Sequence, residues 1–268
     1  QAMRFDSTTS AYGSNASVSE NVFFDVSGGA GGNKFKGDYQ LFAKNTAFDC
    51  FVAIPKGFGK TDIHNQHSLV RGNLVDNLVE WNMTNRVEGI TAKMDHNISG
   101  PGVVRKLLRD PDNFDFRPKA TSKELIDAGK VVLRKELEGD RIRLPEQSYE
   151  SDAPDIGAYE FGAKEYWIPG CRLDQASTPV PPEAAIAVKV DADLMWLQAK
   201  DAVSHNVYFK PLDELSSHKQ WSPVAKGIKG NIYTPSALES GKSYVWRVDA
   251  VCEDGTIQQG KVWSFTVE

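Results

Sequence analysis

The sequence predicts an all-β protein in two parts, in which the closing turns of a parallel β-helix precede a small β-sandwich. Three observations predict this fold class. A unit centred on Asn recurs through the first hundred residues, a proline cluster follows near residue 180, and short alternating apolar segments fill the remainder.

The composition limits the classes of function. At 268 residues the chain is long enough for one large domain or two modest ones. A formal net charge of −5 argues against a nucleic-acid binder, which usually carries a basic patch. No apolar run of about 18 residues occurs, so no membrane span is predicted. Three cysteines permit at most one disulfide, and a bridge between Cys171 and Cys252 is left open.

The first part is predicted from the spacing of Asn21, Asn45, Asn73 and Asn97, which lie 24, 28 and 24 residues apart. Each has an apolar residue three positions earlier, and the intervening segments show no helical period. One turn of a parallel β-helix, with its three short strands, has this length. Asn side chains stacked at a bend would hydrogen-bond to the turns on either side. Asn residues that fall by chance in the turns of an ordinary sandwich are the alternative.

Two later segments carry a resemblance to a known family. Asp115–Gly129 contains D-F-R-P and L-I-D-A-G, and Asp155–Glu160 is D-I-G-A-Y-E. The pair resembles the closing segment of secreted bacterial right-handed parallel β-helix proteins. The resemblance implies that residues 1–164 are C-terminal rungs with a cap over the last edge, because an open edge would template aggregation. It also implies a secreted, extracellular or cell-surface protein. The charged loop 130–154 is expected at the surface.

The first residues of the chain indicate whether the sequence is a full precursor or a shortened form. The first residues, Gln1–Arg4, lack the charge, apolar run and cleavage site of a leader. Four units make a short stack without an N-terminal cap. We therefore expect a mature or cut form, with further rungs upstream.

Residues 165–182 are predicted to be a semi-rigid linker, because the proline cluster disfavours helix and central strand. Residues 183–268 then alternate apolar and polar positions in short strands. Leu238, Gly241 and Tyr244 fit the pattern L-x-x-G-x-x-Y. The segment resembles fibronectin-III-like modules, which are Ig-like β-sandwiches, and the resemblance implies a tyrosine corner at Tyr244 and a core tryptophan at Trp196.

Equal offsets from the repeated Asn place side chains in columns, with about 4.8 Å between successive turns. The positions nine residues before each Asn are Tyr12, Lys36, His64 and Glu88. Tyr39 and His67 lie six before their Asn, and Asp38 lies beside Tyr39. Such a chemically rich set predicts a surface that meets a substrate.

The resemblance to β-helix polysaccharide lyases implies removal of the proton α to a uronate carboxyl. This step needs a base, together with Arg or Ca²⁺ to stabilise the enolate-like charge. The catalytic candidates are Lys36, His64, His67 and Arg71, and the substrate-binding candidates are Tyr12, Asp38, Tyr39 and Glu88. A hydrolase would need facing acidic groups, and the first hundred residues contain no clustered acidic pair.

No metal site is assigned from the sequence. His64 and His67 form an H-x-x-H pattern without a third ligand, and a solvated surface role for both is an open alternative. No cofactor follows from the residues, and calcium enters only as the ion that some lyases of this fold would require.

The predicted function is therefore that of an extracellular polysaccharide-acting protein, a lyase on an anionic glycan if it is an enzyme. The alternative is a non-catalytic extracellular protein that binds glycans, adheres or forms fibres. The predicted partners are a polysaccharide and either an upstream β-helix segment or a second copy of the chain. Nucleic acid and a membrane span are not expected.

Overall fold

The computed structural model describes residues 4–5, 16–26, 33–35, 39–57, 67–82, 92–137, 142–214 and 221–268. The chain divides into two compact units. The first comprises residues 1–108 and 116–162, and the second comprises residues 109–115 and 163–268. Among the described residues, no helix has the length and apolar character to cross a membrane.

The first unit begins with twelve short strands in the described segments. In chain order they are β1 (Arg4–Phe5), β2 (Ser17–Ser19), β3 (Val22–Phe24), β4 (Asn33–Phe35), β5 (Leu41–Ala43), β6 (Thr46–Phe48), β7 (Val52–Gly57), β8 (Leu69–Arg71), β9 (Leu74–Val75), β10 (Leu78–Asn82), β11 (Lys93–Asp95) and β12 (Ile98–Ser99).

These strands form three parallel sheets, which the chain visits in a fixed rotation. The first sheet has the order β1-β4-β7-β10, the second β2-β5-β8-β11 and the third β3-β6-β9-β12. The register of the second sheet aligns Phe42 with Val70 and Val70 with Met94, so each repeat unit adds one strand to each sheet. The repeat predicted from the Asn spacing is thus the structural unit of this part.

The bend between the second and third sheets has the same backbone in every unit. The residue before each repeated Asn is left-handed, with φ of 58° at Glu20, 52° at Lys44, 68° at Gly72 and 52° at His96. This residue and the Asn that follows it connect the two strands. A left-handed residue is strained unless its surroundings hold it in place.

The Asn side chains supply that support, as predicted. The side-chain oxygen of Asn73 accepts hydrogen bonds from the backbone N–H (2.9 Å) and the side-chain amide (3.0 Å) of Asn45. Asn97 accepts the same two bonds from Asn73, and Asn45 accepts them from Asn21. The amide of Asn45 also donates to the carbonyls of Val18 and Ala43. The buried amides are therefore satisfied, and the predicted ladder is confirmed.

The middle residues of the strands pack into one hydrophobic cluster that draws on all three sheets. Its buried members include Phe42 and Val70 from the second sheet, Ala47 and Val75 from the third, and Val52 from the first. Cys50 packs against this cluster, where burial raises the pKa of its thiol to about 11. Cys50 is therefore a packed thiol, as its place in the repeat predicts.

The opposite face of the second sheet is covered by a segment that the sequence placed at the surface. Leu41 and Leu69 pack with Val132, Leu137 and Ile142 in a second hydrophobic cluster. The loop was predicted as charged surface because its charges dominate its composition. Its few apolar residues are nevertheless the ones that cover the outward side chains of the strands.

The segment Asp155–Glu160 lies along the sides of the repeat units. The N–H of Gly157 donates to the carbonyl of Gly72, and the N–H of Ala158 donates to the Thr46 hydroxyl. The resemblance implied a cover over the last edge, but these contacts are with the second and third units. A Cβ at Gly157, whose φ is 111°, would come within 3.2 Å of the Thr46 hydroxyl, so a side chain there would be strained.

The rest of the first unit and its junction contain α1 (Val103–Leu107), β13 (Leu108–Asp110) and β14 (Asp115–Pro118). The second unit contains β15 (Ser177–Val180), β16 (Ala185–Val188), β17 (Leu194–Leu197), β18 (Ala202–Pro211), β19 (Ala225–Ile228), β20 (Ile232–Tyr233), β21 (Ser243–Cys252), β22 (Ile257–Gln258) and β23 (Val262–Val267). Short 3₁₀ turns occupy Pro111–Asn113, Arg134–Glu136 and Leu212–Glu214.

The second unit is a sandwich of two sheets. One has the order β15-β17-β20, and the other has the order β16-β23-β21-β18-β19 with β22 paired to β21. Trp196 and Trp246, from different sheets, are both fully buried in one core. The hydroxyl of Tyr244 accepts the N–H of Glu239 at 2.9 Å. The predicted core tryptophan and tyrosine corner are thus confirmed.

Part of the predicted linker belongs to this sandwich. Ser177–Val180 forms β15, which pairs with β17 as an edge strand. An edge position tolerates Pro179, since a residue without an N–H can face away from the ladder. Cys171 and Cys252 are free thiols in this arrangement.

We expect Asn73→Ala to lower the free energy of unfolding of the first unit by about 3 kcal/mol, because it leaves buried polar partners unsatisfied. Urea unfolding followed by far-ultraviolet circular dichroism would measure this change. Tryptophan fluorescence would report mainly the second unit, which contains five of the six tryptophans. The matched control is Asn77→Ala, at an exposed position in the same unit. Equal losses in the two variants would contradict the role of the ladder.

Candidate functional site

Arg71 is the predicted catalytic residue whose surroundings are best defined. It lies on β8, and its side chain is 1% exposed. The guanidinium donates to Asp95 through Nε (2.5 Å) and Nη2 (2.8 Å). It also donates to both oxygens of Glu136 at 2.8 and 2.9 Å, and to the carbonyl of Val131 at 3.0 Å. Each donor group of Arg71 is thus committed inside the protein.

Two local features assemble this cluster. The parallel register of β8 and β11 places Asp95 beside Arg71. The 3₁₀ turn Arg134–Glu136 brings Glu136 over the sheet, where its carboxylate also accepts the N–H of Leu133 at 3.0 Å. The pairing with Asp95 follows from the offset rule, because Arg71 and Asp95 each lie two residues before a repeated Asn. Glu136 lies outside the repeat, and the sequence gives no such signal for it.

The electrostatics of the cluster are those of a tight internal ion pair. Hydrogen bonding to Arg71 lowers the pKa of Asp95 to about 2 and the pKa of Glu136 to about 2. The same bonds raise the pKa of Arg71, so the guanidinium is permanently charged. Lys93 lies 3.6 Å from Glu136 and His96 lies 3.2 Å from Asp95, both at the exposed margin.

The contacts of Arg71 bear on its predicted role in catalysis. A residue that stabilises charge on a substrate must have donors to offer, and those of Arg71 are occupied. The contacts therefore make Arg71 a residue that joins the covering loop to the sheet. Its catalytic role stays a prediction without support from its position.

Tyr39 and His67 form the second feature of the site. Both are left-handed, with φ of 57° and 56°, at the same position of successive units. Their rings stack with centroids 4.7 Å apart and planes 12° apart. The column predicted six residues before the repeated Asn is thus confirmed for this pair. His67 is exposed and Tyr39 is half-buried, so the pair presents an imidazole beside a phenol at the surface.

The other predicted site residues lie outside the described residues. They are the catalytic candidates Lys36 and His64 and the substrate-binding candidates Tyr12, Asp38 and Glu88. Their participation stays a prediction.

The described residues do not fit a calcium site. Calcium takes six to eight oxygen ligands, several of them carboxylates. In the part of the chain that the structure describes, no three His, Cys, Asp or Glu side chains converge as ligands would. The neighbouring carboxylates of Asp95 and Glu136 are both engaged in salt bridges with Arg71.

A second buried charge cluster, which the sequence did not reveal, holds the D-I-G-A-Y-E segment. Lys44 donates to Glu160 at 2.7 Å. The carboxylate of Asp155 accepts the N–H groups of Asp127 (2.8 Å) and Phe161 (2.6 Å). Burial raises the pKa of both Asp155 and Glu160. These charges fix backbone segments to one another, and they account for the acidic residues at both ends of the motif.

No protein family model matches the chain, and no curated protein matches it. Among solved structures, the chain is similar to an Fn3-like protein from Clostridium thermocellum, with 20% identity and a TM-score of 0.28 over 37% of this chain and 96% of that one. It is also similar to module A71 of titin from human cardiac muscle, with 19% identity and a TM-score of 0.25 over 34% of this chain and 88% of that one. The strands of the two units confirm the coarse prediction of an all-β protein.

We expect Arg71→Met to lower the free energy of unfolding by about 2–3 kcal/mol, because it removes the main hydrogen-bond donor of two half-buried carboxylates. Urea unfolding at neutral pH would measure the loss. Lys93→Ala is the control, since the Lys93 side chain is 60% exposed and its amino group lies 3.6 Å or more from its partners. An exposed ion pair contributes about 1 kcal/mol or less. A small effect at Arg71 would contradict the buried-pair interpretation.

The ion-pair cluster of Arg71, Asp95 and Glu136 predicts that the free energy of unfolding depends on pH. The pKa values of Asp95 and Glu136 are lower in the folded chain than their ordinary values of 3.8 and 4.5. The stability that they contribute is therefore complete above those ordinary values and is lost as the pH falls toward about 2. Glu136→Gln removes one of the two groups. The stability difference between the parent and this variant should shrink steadily as the pH falls through that range.

Unfolding midpoints in urea at successive pH values would test this expectation. Glu124→Gln, at an exposed position of the same unit, should track the parent at every pH. A difference between the parent and Glu136→Gln that stays constant with pH would contradict the assignment. The comparison of variants cancels the opposite contributions of Asp155 and Glu160, whose pKa values are raised.

Proposed function

We propose that the first unit is a set of rungs from a right-handed parallel β-helix, and that the protein acts on an extracellular polysaccharide. The rotation of the chain through three parallel sheets, the shared core and the Asn ladder support the β-helix. The second unit is the accompanying fibronectin-III-like sandwich. In this proposal, the outer surface of the rungs is a rigid face along which an extended polymer lies.

The Tyr39–His67 pair carries the functional proposal. It is a column of surface side chains whose spacing is fixed by the backbone. A polysaccharide presents similar groups at regular intervals along its length, and a column of this kind presents matching contacts. A phenol and an imidazole offer both a ring face and hydrogen-bonding groups to a sugar.

The chemistry that we propose is lyase cleavage of an anionic glycan. A base removes the proton α to the uronate carboxyl and the electron pair forms a double bond. The bond to the departing sugar oxygen breaks, and that oxygen takes up a proton from the solvent to become a hydroxyl. His67 is the base candidate whose position the structure describes, with Lys36 and His64 as the others. Because Arg71 is occupied, a different cation must stabilise the developing charge. Tyr12, Asp38, Tyr39 and Glu88 are the proposed substrate contacts.

One observation favours a second candidate, a non-catalytic glycan-binding, adhesive or fibre-forming protein. The described part of the site contains the stacked rings of Tyr39 and His67, while the cation Arg71 is buried in an ion pair with Asp95 and Glu136. Glycan binding can use a stacked ring pair, and it does not require a cation that is free to stabilise developing charge. In this version, an upstream β-helix segment or a second copy of the chain would extend the stack.

Incubation with polygalacturonate, alginate and hyaluronan tests the catalytic version. We expect the ultraviolet absorbance of an unsaturated uronate to appear, and His67→Ala to slow its appearance by about a hundredfold, as expected for the loss of a general base. Lys93→Ala, at an exposed position on a neighbouring strand, is the control and should match the parent. Retention of these polymers on affinity gels without any absorbance change would favour the non-catalytic version.

A further inference from the structure

Trp167 is the most exposed aromatic side chain among the described residues, at 66%. It differs in this respect from the other tryptophans of the second unit. Trp196, Trp246 and Trp263 are buried in the core, and Trp221 lies under the guanidinium of Arg247 at 5.1 Å. Exposing a large indole costs hydration free energy, so its position calls for a physical explanation.

The backbone around Trp167 is fixed on both sides. The neighbouring side chains Tyr166 and Ile168 are 4% and 6% exposed. The side-chain oxygen of Asn231 accepts the N–H of Tyr166 at 2.8 Å, and its amide donates to the carbonyl of Tyr166 at 2.7 Å. The same amide donates to the carbonyl of Trp196 at 2.9 Å. The indole is therefore projected outward by an anchored segment.

A cleft of about 280 Å³ lies beside the indole and is lined by both apolar and polar groups. Glu165, Arg172 and Gln198 supply an acceptor, a donor and an amide. The Gln198 amide donates to the carbonyl of Lys229 at 3.2 Å, which holds it in place. Gly170, whose φ is 144°, lies in the wall of the cleft, and a Cβ there would come within 3.0 Å of the Leu197 side chain, so the position favours glycine.

These features match the chemistry of one class of ligand. A pyranose ring has an apolar face of C–H groups, which packs on an indole, and hydroxyl groups around its rim, which pair with planar side chains. The single charges of Glu165 and Arg172 balance, so the cleft has no net charge to attract an ionic ligand. A volume near the lower end of the range for small-ligand pockets suits one sugar ring.

We propose that this cleft of the second unit is a binding site for one neutral pyranose unit of a polysaccharide. Trp167 supplies the stacking face, and Arg172, Gln198 and Glu165 hydrogen-bond to the hydroxyl groups. The residues of this site belong to the second unit, whereas Tyr39 and His67 belong to the first. The inference stands whether or not the first unit is catalytic.

Affinity electrophoresis of the full chain in gels that contain xylan, β-glucan or galactomannan tests the site. We expect at least one of these polymers to retard the parent, and Trp167→Ala to weaken that binding by about tenfold or more. Gln198→Ala should weaken it by a smaller factor. Ile186→Ala is the matched control, because it removes a side chain that is 76% exposed and lies outside the cleft.

Salt distinguishes the proposed chemistry from charge attraction. Hydroxyl pairing and ring stacking should survive about 0.5 M NaCl, whereas attraction of an exposed ionic ligand is screened. Circular dichroism of Trp167→Ala should match the parent, since the substituted side chain is exposed. The proposal is overturned if none of the polymers retards the parent, if Trp167→Ala binds as well as the parent, or if salt abolishes the binding.

Discussion

The buried side-chain amide of each repeated Asn is the interaction on which the first unit depends. A left-handed residue and an Asn turn the chain at each bend, and neither is stable alone. The Asn accepts hydrogen bonds from the preceding unit and donates to carbonyls nearby, as Asn45 does with Val18 and Ala43. Because a one-residue slip would break every bond of the ladder, the same interaction fixes the register of the three sheets.

Register then decides which side chains meet. The stack of Tyr39 on His67 and the ion pair of Arg71 with Asp95 both follow from equal distances to the ladder. The two pairs differ in solvent exposure, because the loop that covers the sheet packs on one of them more than on the other. The covering loop brings Glu136 onto Arg71 and removes the guanidinium from solvent, whereas His67 stays exposed. Tyr39 packs in part against the cluster formed with that loop, so His67 is the exposed member of the pair.

An Asn side chain has a comparable role in the second unit. Asn231 holds the backbone of Tyr166 on both its donor and its acceptor side. Tyr166 and Ile168 are thereby buried, and the residue between them is forced outward. In both units, a satisfied buried amide fixes local backbone, and the exposed neighbours of that backbone are the side chains available for binding.

The sequence by itself determined the repeat, the Asn ladder and the Tyr39–His67 column, because each depends on local spacing. The resemblance to fibronectin-III-like modules implied the core tryptophan and the tyrosine corner. Tertiary structure alone decided the burial of Arg71, the cover supplied by Val132, Leu137 and Ile142, the strand within the predicted linker and the exposure of Trp167. Each of these depends on contacts between residues far apart in the chain. Residue type and spacing do not encode such contacts, since the same Arg or Trp is stable either buried with partners or exposed to water.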